Sequence, residues 1–214
     1  MTAHTRPASR GGRGSAHVMD SPMRKMLAVA VLCLAPASAF PADIEAGRAQ
    51  AEQCQACHGA QGVSENPTVP SLAGQSDRYL QWQLVFFRSG RRANEIMSPL
   101  AAGLSDEDIR NLGAYFASLP RGAAPAVDAD PALRERGGQV AEQHRCAACH
   151  ADNFGGKQAA PAIKHQPREY LAKALRDYRA SARPSVGVAA MTEAASGLSD
   201  DDIQALANFL EAYE

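Results

Sequence analysis

No segment of this 214-residue chain carries a convincing strand alternation, and no apolar run is long enough to span a bilayer as a mature helix. The first absence leaves an all-α chain, and the second argues against a transmembrane protein. A strongly basic patch is missing as well. The chain carries 22 Lys and Arg against 23 Asp and Glu, which gives no footprint for nucleic acid. One basic stretch, Arg168, Lys173, Arg176, Arg179 and Arg183, is interrupted by Glu169 and Asp177 and reads as a solvated helix face. Methionine and cysteine are scarce, and where they fall carries the rest of the reading.

What is present is one short phrase, twice: Cys54-Gln-Ala-Cys57-His58 and Cys146-Ala-Ala-Cys149-His150. C-x-x-C-H is the attachment sequence for haem c. Two thiols on one turn add to the haem vinyl groups, and the adjacent imidazole becomes the proximal iron ligand. Zinc ribbons and redox dithiols share the C-x-x-C spacing. A zinc site needs a second ligand pair near each motif, and none is visible. A four-Cys site spanning both motifs leaves the two histidines unexplained. The cofactors are therefore two covalent haem c groups.

Of six methionines, Met1, Met19, Met23 and Met26 fall in an N-terminal leader. Met97 and Met191 remain, 39 and 41 residues after their motif histidines. Thioether sulfur suits a low-spin haem iron, so these two are the candidate distal ligands. His58 and Met97 have no rival of their kind in the first half. His144 and His165 are alternatives in the second, the former on the proximal side and the latter near Pro161, so Met191 is preferred.

The remainder repeats in step. Pro70–Gln75 aligns with Pro161–Gln166, and Tyr79-Leu80 with Tyr170-Leu171, at an offset of 91; the helix start at Gly103–Ile109 matches Gly197–Ile203 at 94. This spacing implies two homologous domains at 40–120 and 133–214, joined by a linker at 121–132 rich in Ala, Pro and Asp. Domains this small have little apolar core, and a buried haem in each would supply it.

Residues 1–39 read as an N-terminal extension and signal peptide. Met23-Arg-Lys provides a positive start, Leu27 to Ala35 an apolar run, and Ala37-Ser-Ala39 a small-residue cleavage site. Cleavage would leave Phe40 as the mature N-terminus of an exported, periplasmic protein. Without the leader's five basic residues and one acidic residue, 17 Lys and Arg stand against 22 Asp and Glu.

Helix signals predict segments at 43–53, 76–88, 131–143, 167–182 and 199–213, with one opened by Ser105 and ended by Pro120. Ser105 with Asp108 forms a capping-box pattern. The acids at 106–108 and 200–202 are thus cap chemistry before they are metal ligands.

These residues resemble the cytochrome c4 family over the whole mature chain: two C-x-x-C-H motifs, the Pro-Ser-Leu-Ala-Gly-Gln run, and Met before a Leu-Ser-Asp helix. The resemblance implies two tandem class I cytochrome c domains, each with an N-terminal helix crossing a C-terminal one. The contact would join Gly47 to Tyr115 or Phe116, and Gly137 or Gly138 to Phe209. It also implies that a Pro carbonyl, Pro70 and Pro161 here, accepts a hydrogen bond from the proximal His. Pro161 follows its histidine by 11 residues where Pro70 follows by 12. Lys164-His165 replaces Ala73-Gly74, which predicts a more polar second haem edge. Arg91-Arg92 either pairs haem carboxylates at a domain interface or faces water.

The function so implied is electron transfer without substrate chemistry. The expected donors are a quinol-oxidising complex or a dehydrogenase, and the expected acceptors a terminal oxidase, reductase or peroxidase. No small-molecule substrate is expected, and peripheral membrane association stays open. A second reading is a cytochrome subunit of a membrane oxidase or dehydrogenase. A third, a small di-haem enzyme such as a peroxidase, needs an iron that opens its distal side, against the two methionines.

Overall fold

The computed structural model describes residues 41–122, 130–185 and 189–214. The leader and its cleavage site, and most of the expected linker, lie outside those residues. Nine α-helices occur among the described residues, with one isolated bridge between Lys157 and Ala160 and no strand. No described helix is long and apolar enough to cross a membrane.

In the first half, α1 (Ile44–His58) and α4 (Asp106–Ser118) cross, with α2 (Asp77–Arg88) and the short α3 (Met97–Ala102) beside them. The second half repeats this with α5 (Pro131–Gln143), α6 (Ala147–His150), α7 (Arg168–Arg179), α8 (Ala190–Ser196) and α9 (Asp200–Glu211). Both capping boxes form: Ser105 with Asp108, and Ser199 with Asp202. Each satisfies two backbone groups that the first turn would otherwise leave unpaired.

The crossings depend on absent side chains. A Cβ on Gly47 would lie 2.2 Å from the Asn111 carbonyl oxygen and 2.9 Å from Tyr115 Cβ. In the second half the crossing residue is Gly137, whose Cβ would lie 2.2 Å from the Ala205 oxygen and 2.5 Å from Phe209 Cβ. Gly138 meets only the Phe209 ring edge, at 3.4 Å.

One helix boundary needs correction. The first helix does not stop at Gln53 but runs through the whole motif to His58. Its counterpart ends at Gln143, because Arg145 takes a left-handed φ of 54° before α6 begins. Glu52-Gln53 precede the first motif and His144-Arg145 the second, and Glu and Gln sustain a helix better than His.

The cores are small. The first gathers Ala51, Leu80, Leu112, Tyr115 and Phe116; the second is built on Leu171, Ile203, Leu206 and Leu210. Phe154, Phe209 and Tyr213 add an edge-to-face aromatic cluster to the second.

Candidate haem sites

Each motif presents its residues alike. His58 and His150 are buried, while Cys57 and Cys149 are exposed. Cys54 packs against the first core and Cys146 against the second. Burial pushes the thiols of Cys54 and Cys146 upward. Burial also lowers both histidines, against the opposing pull of a backbone hydrogen bond, and so favours the neutral ring.

Those hydrogen bonds set the tautomer. His58 Nδ1 lies 2.8 Å from the Pro70 carbonyl oxygen, and His150 Nδ1 lies 2.7 Å from that of Pro161. A carbonyl only accepts, so Nδ1 carries the proton and Nε2 keeps its lone pair for a metal. The one-residue difference in spacing is absorbed without loss of the bond.

Met97 opens α3, where Asn94 Oδ1 accepts from its backbone N–H at 2.7 Å. Met191 lies in α8 and packs against the second core, as Cys146 does. The rival His165 has both ring nitrogens engaged by backbone carbonyls, 3.0 Å from Gly122 O and 2.8 Å from Tyr213 O. Lys164 Nζ lies 5.8 Å from the Tyr213 ring centroid. The pair thus turns toward the C-terminal end of the chain. Among the described residues, no group of three or more His, Cys, Asp or Glu is arranged to hold a metal ion.

The basic stretch divides. Arg168 pairs with Glu211, Lys173 with Asp177, and Arg176 and Arg179 with Asp200. Those four charges are neutralised on the surface of α7. Arg183 is different: it lies beyond the helix and is buried. Sequence periodicity missed it, because a basic residue four after Arg179 continues the helical stripe.

Arg183 Nη2 donates to the Tyr79 hydroxyl at 2.7 Å and to Gln83 Oε1 at 3.2 Å, and its guanidinium lies 4.8 Å from the Tyr178 ring centroid. Arg92 donates to the same Gln83 oxygen at 2.5 Å. Among the described residues neither arginine pairs with an acid. Among the described residues, Arg183 Nε and Gln83 Nε2 are buried donors with no partner. Burial pushes the Tyr170 hydroxyl up, yet the charges of Arg183 and Arg92 outweigh it and draw it down to about 7. A buried guanidinium with no carboxylate beside it calls for an anion. A haem brings two carboxylates, so the residues present fit the group.

The repeated histidine geometry and this anion-seeking interior define a tandem c-type cytochrome. A family model for cytochrome c matches residues 44–120 and again 134–213. The chain is 38% identical to cytochrome c4 of Pseudomonas aeruginosa, over 79% of this chain and 88% of that protein. The crystal structure of reduced recombinant cytochrome c4 from Pseudomonas stutzeri superposes with a TM-score of 0.75 at 32% identity, covering 81% of this chain and all of that one. A protein named thiosulfate dehydrogenase electron acceptor, from Thiomonas intermedia, is 34% identical over 89% of this chain and 92% of its own. The chain belongs to the cytochrome c4 family and is a di-haem electron carrier with two haem c groups.

Proposed function

We propose that the mature chain, starting at Phe40, is a periplasmic shuttle that takes electrons from a quinol-oxidising complex or dehydrogenase and passes them to a terminal oxidase, reductase or peroxidase. Its domains are 40–120 and 133–214. Cys54, Cys57, Cys146 and Cys149 hold the haems, His58 and His150 bind the irons proximally, and Met97 and Met191 bind them distally. Each haem iron supplies a one-electron ferric/ferrous couple. The chain's own residues hold both coordination positions, exclude water and set the potential through ligand type and hydrogen bonding. Arg183 and Arg92 would hold the haem carboxylates.

The observation that carries this reading is the matched pair of buried histidines, each with Nδ1 held by a Pro carbonyl. An optical redox titration of the exported protein, with its mass, tests it. Two one-electron couples and a mass two haems above the chain from Phe40 are expected. Replacing Cys146 and Cys149 by Ala should remove one haem. A cytoplasmic protein that retains its leader would overturn the assignment.

The Thiomonas relative's name favours a second reading, in which this chain is the electron acceptor of one fixed dehydrogenase. Weak association that salt abolishes marks a shuttle, whereas co-purification through high salt marks the subunit.

A further inference from the structure

The two halves are tied by a reciprocal pair of buried glutamines. Gln166 Oε1 accepts from the Ser71 N–H at 2.9 Å, and Gln166 Nε2 donates to the Ser71 carbonyl at 2.8 Å. In return, Gln75 Oε1 accepts from the Ala162 N–H at 2.6 Å, and Gln75 Nε2 donates to the Ala162 carbonyl at 2.9 Å. Both pairs of positions are 91 residues apart, so the clasp is the same contact made once in each direction. Gln75 and Gln166 are each 4% exposed, so neither amide has water as a ready substitute.

The clasped residues directly follow Pro70 and Pro161. The Pro70 carbonyl and the Ser71 N–H belong to one peptide group, as do the Pro161 carbonyl and the Ala162 N–H. An unbroken chain therefore runs from His58 Nδ1–H to the Pro70 oxygen, through the peptide to the Ser71 N–H, and on to Gln166. Its mirror image runs from His150 through Pro161 and Ala162 to Gln75. An amide whose N–H is engaged is polarised, and its carbonyl accepts more strongly. A stronger acceptor on Nδ1–H makes the imidazole a more electron-rich ligand, which favours ferric iron.

We infer that Gln75 and Gln166 are positioning residues that set the potential of the haem in the opposite domain: Gln166 lowers that of the first haem and Gln75 that of the second. The inference rests on His58 and His150 binding the irons. The holoprotein is examined by following the hyperfine-shifted signals of each haem by NMR through a redox titration. In Gln166→Leu the first haem's potential should rise, its ferric-to-ferrous ratio at fixed potential falling about threefold, or about 28 mV at 59 mV per tenfold. The His58 Nδ1–H resonance should move with it, while the second haem and His150 stay in place. Gln75→Leu should give the opposite pattern. Looser packing alone would wet the haem and lower its potential, the reverse sign. A shift confined to the substituted residue's own domain, or none in either, overturns the inference. Should a leucine variant fail to assemble, Gln166→Asn, one methylene short of the Ser71 peptide, is read the same way. Absence of hyperfine-shifted His58 or His150 signals in the unsubstituted protein would instead overturn the ligand assignment itself.

Discussion

Gly137 and Gly138 are neighbours on α5, yet alanine at the two positions should act in opposite directions. At Gly138 the new methyl would meet only the Phe209 ring edge, at 3.4 Å, an ordinary contact. Alanine there gains its helix propensity, about 0.8–1 kcal/mol over glycine. At Gly137 the same gain meets a methyl 2.2 Å from the Ala205 carbonyl oxygen and 2.5 Å from Phe209 Cβ. Both lie on or beside the α9 backbone, so neither can swing aside. The helices must separate by roughly 1 Å to restore contact near 3.5 Å, and overpacking of this kind costs about 1–3 kcal/mol. A net loss of up to about 2 kcal/mol follows for Gly137→Ala after the propensity gain. Guanidinium unfolding of the holoprotein, followed at the second haem, is the assay. With a slope of about 4 kcal/mol/M, the midpoint should fall by up to roughly 0.5 M in Gly137→Ala and rise by about 0.2 M in Gly138→Ala. Equal midpoints for the two variants would refute the assignment of Gly137 as the crossing point.

Three further outcomes are expected. Met97→Ala and Met191→Ala should each remove about half of the sulfur-to-iron charge-transfer absorption of the oxidised protein and lower one potential, because thioether ligation favours ferrous iron; an undiminished band in Met191→Ala would dismiss that ligand. Arg183→Leu removes a buried cation that favours the electron-richer state, so redox titration should show a lower potential, and a rise would contradict the proposed role. Asp202 is held below its ordinary value mainly by the Ser199 hydroxyl, against an upward push from burial and with help from the Ser199 N–H and Arg136. A depressed folded value gives stabilisation that is complete above the unfolded value of about 3.9 and disappears as pH falls through the folded one. Asp202→Asn should therefore flatten the acid limb of a stability profile below about pH 4, and a limb as steep as that of the unsubstituted protein would discount this contribution.

Local chemistry made much of this fold readable. Ser105 with Asp108 and Ser199 with Asp202 announce helix starts through contacts three residues apart, and both form. The proximal bonds to Pro70 and Pro161 came from family resemblance and were met in both halves. Burial that depends on distant chain was not readable. Arg183 continues a basic stripe and gives no local sign that Tyr79 and Gln83, about a hundred positions earlier, enclose it. Gln75 and Gln166 stood out as equivalent residues, but a repeat reveals which positions correspond, not that each reaches into the other copy. The left-handed turn at Arg145 has no local signature, because arginine is a good helix former and carries no preference for positive φ.

The glutamine clasp also bears on how two copies of one module can drift apart after duplication. Across the boundary each amide reads only the peptide of its target, so the clasp does not select the side chain at the clasped position, and serine at 71 faces alanine at 162 in the same role. The loops that meet across the boundary can accept substitutions without breaking it, provided the two glutamines stay. Losing either leaves a peptide N–H and carbonyl unpaired in the other copy, at up to about 1–3 kcal/mol for each group at the buried Ala162 and less at the half-buried Ser71. Divergence is thereby channelled: the copies are free to acquire different surfaces and partners, but neither can return to life as a single-haem protein without first remaking the face it lent to its twin.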